Sequence, residues 1–250
     1  MNKNIKGTRQ SFDYQWANLK DSPWLLSNPE FREKCEKILL DEISSTKERI
    51  ADKLVLDVGC GNGRWSYAFT SLGAEVVAYD FTKSGCSETN SLGIDVVLAD
   101  ALNPPFKPKT FDIVFSFGVL HHTGNLEKAF SENSRLAKPL GLMHVYLYGK
   151  KGIRVGIWRF LIQLIPGLEL RRAMLYVLLR IRGFLPTRKN LIPYSDLHGG
   201  FDALSPNINA ESDDSSVRML FARNGFEKVT LIKPTWCDWH PDIHMQGIKR

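Results

Sequence analysis

Residues 54–63 read Leu-Val-Leu-Asp-Val-Gly-Cys-Gly-Asn-Gly, an apolar run that ends in an acid and opens into three glycines two residues apart. A run of this length and composition suits a strand buried on both faces, as in a parallel sheet. The glycines let the backbone turn tightly and approach a ligand with no Cβ in the way. Arg64 to Leu72 then has helical spacing, so the loop feeds a helix amino terminus. The unit is strand, glycine loop, helix.

Glycine spacing separates the ligands that such a unit takes. Dinucleotide folds use G-x-G-x-x-G, whereas Gly59, Gly61 and Gly63 give G-x-G-x-G preceded by Asp57. With no pyrophosphate to hold, the loop carries an acid at its edge, which suits a cationic amino-acid moiety. Downstream, Glu75-Val-Val-Ala-Tyr-Asp80 reads as a second buried strand, its acid 17 residues after Gly63. Ile94-Asp-Val-Val-Leu-Ala-Asp100 reads as a third strand, again with an acid at its tip. Phe111 to Thr123 reads as a fourth strand and a loop carrying His121 and His122 at the carboxyl edge of the sheet, where ligands sit in open α/β folds. The plain alternative for Asp80 and Asp100 is that each only caps the next helix.

With Asp57, the three glycines and this downstream spacing, the chain resembles the class I S-adenosylmethionine-dependent methyltransferases, in their type 11-like branch. The likeness covers residues of about 52–148 and 212–250. It implies a Rossmann-like seven-stranded sheet of order 3-2-1-4-5-7-6, strand 7 antiparallel, with helices on both faces and a helical lid insertion. The implied cofactor is S-adenosylmethionine, held by Asp57, Gly59, Cys60, Gly61, Gly63, Asp80, Phe81, Asp100, Ala101 and Phe117. Asp80 takes the ribose hydroxyls in this scheme, and Asp100 with Ala101 meets the adenine amino group. The tetrapeptide Asn103-Pro-Pro-Phe106 also occurs in enzymes that methylate adenine and glutamine nitrogens. There it ends the fourth strand, whereas here it precedes that strand and reads as a proline-stiffened connection.

Methyl transfer from a sulfonium is an in-line displacement, so placement supplies much of the catalysis and a general base is optional. His122 or His121 is the expected base, since imidazole titrates near neutral pH. Tyr146, Tyr194 and His198 are weaker candidates. The expected acceptor is a small or lipid-like molecule methylated on oxygen, nitrogen or carbon. Two other readings stay open: a cofactor-binding but non-catalytic module associated with a membrane or a partner, and a nicotinamide-dependent oxidoreductase, which the glycine spacing and the acid at Asp57 disfavour.

At 250 residues and 43% hydrophobic content the chain can bury a full α/β core. Cys35, Cys60, Cys86 and Cys237 show no paired spacing, so reduced thiols are expected. Residues 1–10 are polar and lack the apolar segment of a signal peptide, so a cytoplasmic location is expected.

Residues 1–47 form an amino-terminal piece, with Phe12, Tyr14, Trp16 and Trp24 followed by a helix from about Asn28 to Ser44. The rings either fold over the cofactor, where aromatic faces suit a sulfonium, or pack that helix onto the sheet. Residues 48–149 and 211–250 form the core, and 150–210 a basic helical insertion and linker. Lys150 to Asn190 holds ten basic residues against Glu169 alone, a net of +9 in a chain whose total is +6. Two basic amphipathic helices broken at Pro166-Gly167 are expected there. Their apolar runs are too short for a membrane span. A substrate lid, peripheral contact with an anionic membrane, a grip on an anionic substrate and, least favoured, nucleic-acid binding all remain open.

Residues 191–209 read as a linker. Ser212 is the expected N-cap of a helix reaching Arg223 and ended by Gly225, followed by strands at Phe226–Ile232 and Ile243–Lys249. Cys237, His240 and His244 are too loosely spaced for a metal site, which wants four ligands when structural. A turn fits better, and no metal is expected.

Overall fold

The apolar run at the start of the glycine motif forms β1 (Leu54–Val58), which pairs in parallel with β2 (Glu75–Asp80) on one side and β4 (Phe111–Phe117) on the other. The computed structural model describes residues 2–20, 22–184, 196–236 and 241–250. With β3 (Asp95–Leu98), β5 (Ala137–Leu147), β6 (Phe226–Ile232) and β7 (Ile243–Lys249), the sheet has the order β3-β2-β1-β4-β5-β7-β6. β7 runs antiparallel to both neighbours, as the sequence leads one to expect.

Strand periodicity sends alternate residues of β1 into two cores. Val55 packs on the side of α2 (Pro29–Glu42) and α4 (Arg64–Ser71), among Phe31, Leu39 and Phe69. Leu56 and Val58 pack on the side of α6 (Leu126–Ser134) and α10 (Asp214–Arg223), among Phe130, Leu220 and Phe221. All three strand residues are fully buried, each worth about 1.5–3 kcal/mol of apolar transfer. The remaining helices are α1 (Lys3–Asn18), α3 (Lys47–Ile50), α5 (Lys83–Asn90), α7 (Ile153–Leu164), α8 (Leu168–Phe184) and α9 (Leu197–Leu204).

Several boundaries follow from caps. The Asn28 side chain accepts from Glu30 N and Phe31 N, starting α2 one residue after the expected Asn28. Asp213, not Ser212, caps α10, because its carboxylate and the Ser216 hydroxyl form a reciprocal capping box. The segment read as an aromatic piece is helical, α1, and it is tied to the core where Asp13 Oδ1 accepts from Ser84 N at 3.0 Å and Ser84 Oγ at 2.8 Å. The two basic helices form as expected, and Gly167 makes the break between them at φ +79°.

The linker reading of 191–209 is corrected by α9. Gly199 and Gly200 argue against a helix on propensity, yet the Asp196 carboxylate caps Gly199 N at 2.9 Å and Phe201, Ala203 and Leu204 are fully buried. Tertiary packing overrides the glycine penalty here. Residues 185–195, including Tyr194, lie outside the described residues, as do Cys237 and His240.

Candidate active site

Where β1, β2 and β4 end, the chain encloses a cavity of about 690 Å³. Gly59, Gly61 and Gly63 turn the loop after β1 with φ of +68°, +55° and +76°, a region that other residues enter only with strain. The second of these also sits under α1: a Cβ on Gly61 would lie 2.6 Å from the Trp16 ring. The glycine loop is thus floor to one wall of the cavity and is closed from above by an aromatic helix.

Of the residues expected at the cofactor, Gly59, Cys60, Asp80, Phe81, Asp100, Ala101 and Phe117 line the cavity. Asp80 is buried, and its carboxylate organises the loop: Oδ2 accepts from Gly61 N at 2.9 Å, and Oδ1 from Thr82 N at 2.7 Å and Thr82 Oγ1 at 2.6 Å. Burial raises its pKa and these donors oppose the shift. Asp100 is exposed at its strand tip and accepts from Leu102 N at 2.8 Å, a turn contact that occupies one oxygen.

Asp57, Gly61 and Gly63 do not line the cavity. Asp57 is turned inward, where Oδ2 accepts from Ser66 Oγ at 2.5 Å, and burial pushes its pKa up to about 6. Its carboxylate pins α4 to β1, off the cavity wall. The glycine positions frame the loop instead.

The two histidines separate sharply. His121 is fully buried beneath the rings of Tyr148 and His122, both at 4.1 Å, and lies off the cavity. Neither of its ring nitrogens has a hydrogen-bond partner among the described residues, and burial pushes its pKa well below the ordinary value. Its expected catalytic role is therefore not supported by position. His122 does line the cavity. Its Nδ1 lies 2.8 Å from the Ile208 carbonyl oxygen, which only accepts, so the proton of the neutral ring sits on Nδ1. Nε2 is left as a lone pair with no hydrogen-bond partner, 3.9 Å from Asp202 Oδ2. Burial lowers the His122 pKa, while Asp202 and the Ile208 carbonyl oppose the shift.

His198 lines the cavity too, but burial and then the Arg64 charge push its pKa down to about 3, and its ring is held against Gln15 and Trp16. Tyr146 donates its hydroxyl proton to Asp242 Oδ2 at 2.8 Å.

Several wall residues were not marked by the sequence reading. Asp202, on α9, accepts from the Tyr148 hydroxyl. Arg64, the residue after the glycine motif, lies over the rings of Trp65 at 5.2 Å and Phe117 at 5.6 Å. Lys151 pairs with Asp242 at 3.1 Å and sits over the Tyr148 ring at 3.9 Å. Trp236, beside the expected Trp24, completes the aromatic side. Arg64 is legible in sequence, being next to the loop; Asp202 is not, because Gly199 and Gly200 make its helix read as linker. Of the amino-terminal rings, Phe12, Trp16 and Trp24 face the cavity, while Tyr14 packs on Phe201.

Behind this wall, Glu42, His144 and His244 are buried together, with one ligand atom from each within 4.8 Å of the others. Glu42 Oε1 is 2.8 Å from His144 Nε2 and 2.6 Å from His244 Nδ1, and Oε2 accepts from Trp236 Nε1 at 3.2 Å. This arrangement serves as a hydrogen-bonded clamp joining α2 to β5 and β7. Of the three residues weighed together from sequence, His244 belongs to this clamp, while Cys237 and His240 lie outside the described residues.

Residues 56–145 match a family described as a methyltransferase domain. The probable tRNA methyltransferase 9B of Bos taurus is 29% identical over 105 residues, 41% of this chain and 23% of that protein. The demethylmenaquinone methyltransferase of Thermobifida fusca is 38% identical over 97 residues, 34% of this chain and 39% of that protein. The match thus spans well under half the length of either relative. Among solved structures, the magnesium protoporphyrin IX methyltransferase of Synechocystis with bound S-adenosylhomocysteine superposes with a TM-score of 0.62 over 99% of this chain and 100% of that one, at 13% identity. The chain carries a methyltransferase domain over residues 56–145, set in the fold of the class I S-adenosylmethionine-dependent methyltransferases.

Proposed function

We propose that the chain transfers a methyl group from S-adenosylmethionine to a small or lipid-like acceptor. The observation that carries this reading is one cavity with two chemically distinct ends. One end has the glycine loop and the carboxylates of Asp80 and Asp100; the other has the unpartnered Nε2 of His122 among aromatic rings. The residues fit the cofactor. Carboxylates at two strand tips suit hydroxyl and amino donors, the aromatic wall of Trp24 and Trp236 suits a sulfonium, and the close packing around Gly61 leaves no room for a side chain in the loop.

When bound, S-adenosylmethionine supplies a methyl group already activated on sulfur. The protein then has to hold an acceptor atom in line and, where that atom carries a proton, remove it. Alignment is worth on the order of 7–11 kcal/mol and a base about 10²- to 10⁴-fold. His122 Nε2 receives the proton, and Asp202, itself held by Tyr148, stabilises the imidazolium that results. His121, neutral and stacked beneath, keeps the ring in place. Trp16 covers the glycine loop at the donor side, and Phe12 packs edge-on against His122 at 4.8 Å on the acceptor side.

Arg64, Lys151, Asp196, Asp202 and Asp242 give the acceptor end both signs of charge, which suits an acceptor with polar substituents on a flat or apolar body. Peripheral membrane contact through residues 150–190 belongs to the same reading. The test is incubation with methyl-labelled S-adenosylmethionine and fractionated quinones, phenolic lipids and tRNA. Label in an organic-soluble product, absent with His122→Ala, supports the proposal; label only in tRNA overturns the acceptor class.

A further inference from the structure

The α7–α8 hairpin holds ten of the fourteen exposed large apolar side chains among the described residues. They are not scattered. On α7, Ile153, Ile157, Phe160, Leu161 and Leu164 fall on one face at helical spacing, Ile153 82% exposed and Phe160 and Leu164 each 63%. On α8, Leu170, Met174, Val177 and Ile181 repeat the pattern. The opposite faces, with Val155, Ile162 and Leu175, are buried in the same core as Phe201 and Leu204 of α9. Both helices thus rest on α9 and turn their apolar stripes away from it. Isolated exposed apolar residues need no explanation, but a contiguous patch beyond a few hundred Å² marks an interface.

We infer that this face seats the protein on an anionic lipid bilayer. Charge identifies the occupant. Residues 153–184 contain six arginines and one acid, Glu169. Arg159 and Arg171 are spent inside, on Glu211 and on the carbonyls of Ala203, Ile165, Gln163 and Ser205. Arg154 and Arg180 are exposed and Arg172 half-exposed, at the margins of the stripes. Apolar residues flanked by cations match a surface with acyl chains beneath negative headgroups. A second copy would meet this face with the same cations, since a two-fold contact sets a patch against itself. A nucleic acid would leave the apolar stripes wet. Among the described residues no helix is long and apolar enough to cross a membrane, so the hairpin lies on the surface.

The hairpin begins at the cavity. Lys151, Gly152 and Val155 are cavity wall, and the first exposed apolar residue is Ile153. A seated protein therefore holds the acceptor end of its cavity beside the headgroup layer, and an amphiphilic acceptor enters from there. The seating rests on the hairpin alone; the entry route rests in addition on the methyl-transfer reading.

The experiment is flotation of the full chain with vesicles of phosphatidylcholine, alone or with about a third phosphatidylglycerol, at about 0.1 M and about 1 M salt. Recovery with anionic vesicles at low salt, falling at least about tenfold in Phe160→Asp and in the pair Arg154→Glu with Arg180→Glu, supports the inference. Unfolding temperature and S-adenosylhomocysteine affinity stay unchanged in both variants, which keeps this test apart from failure of the cofactor reading. If Phe160→Asp lowers the unfolding temperature, Ile153→Asp at the open start of α7 takes its place. No flotation, or equal recovery on neutral vesicles, overturns the inference. So does a dimer of the parent chain that Phe160→Asp dissociates, or a duplex oligonucleotide bound through the same residues.

Discussion

His122 owes its proposed chemistry to a backbone carbonyl. Ile208 O accepts from Nδ1 and so leaves Nε2 basic, while the adjacent His121, identical in type, has no such partner and no access to the cavity. Sequence shows two histidines in a loop; which one faces inward depends on the route of the chain near Ile208, 86 residues on. Replacing His122 by alanine is expected to cut kcat by about 10²- to 10⁴-fold while leaving the cofactor dissociation constant unchanged. Equal turnover in a labelled-methyl assay would remove it as the base. Its pKa lies below the ordinary imidazole value, so kcat is expected to be level at neutral pH and to fall only on the acid side. Asp202→Asn withdraws the negative charge that raises this pKa, so the acid limb should move to lower pH and kcat should drop. A limb that stays in place would show that Asp202 does not act on His122. Asp80, by contrast, is a ligand and a structural group together, and removing it frees Gly61 N and Thr82 as well as any ribose contact.

At the scale of elements, the parallel strands and the glycine loop were legible because both are local: apolar runs end in acids or glycines at the right intervals. The order of all seven strands follows from those runs and from the family likeness. What was illegible depends on partners far away in sequence. α9 forms against its own glycines because it is roofed by α7 and α8 and abuts α1, with Ser11 Oγ donating to Ser205 Oγ at 2.9 Å across 194 residues. The clamp of Glu42, His144 and His244 joins three elements that no spacing rule connects. Glu42→Ala would take the shared carboxylate from two buried imidazoles and the half-buried Trp236 indole and is expected to cost about 3 kcal/mol or more, read as a shifted denaturant midpoint. A change under about 1 kcal/mol would mean that the clamp is not formed. Gly61→Ala places a Cβ at a φ of +55° and 2.6 Å from Trp16, so α1 must lift. Loss of cofactor affinity with the sheet intact by circular dichroism is expected; unaltered affinity would show that α1 does not close the site.

At the scale of the whole molecule, charge is buried unevenly, and this sets how stability responds to acid. His198 has a folded pKa of about 3 against an unfolded value near 6.5, so the unfolded chain binds the extra proton. Its contribution is complete above pH 6.5 and is lost as pH falls toward 3, by about 1.4 kcal/mol per pH unit. His121 and His122 are shifted the same way. Asp57 works against them: with a folded pKa of about 6, raised above its unfolded value near 3.9, it contributes stability at low pH that is lost as pH rises through 6. His198 spans the wider range, about 6.5 to about 3 against about 3.9 to about 6 for Asp57, so the parent chain is expected to lose stability on acidification. His198→Gln should flatten that loss by about 1.4 kcal/mol per pH unit between about pH 5.5 and 4, measured by urea unfolding at several pH values; an unchanged slope would place His198 in solvent. Most of the net positive charge, +5 of the total +6, lies on α7 and α8 beside the cavity mouth. What the cavity holds decides the chemistry. Calorimetric titration of the full chain with S-adenosylhomocysteine, with NAD as control, tests it most directly. Saturable micromolar binding that is lost in Gly61→Arg, with none to NAD, is the result predicted; no binding, or binding to NAD in its place, would contradict it.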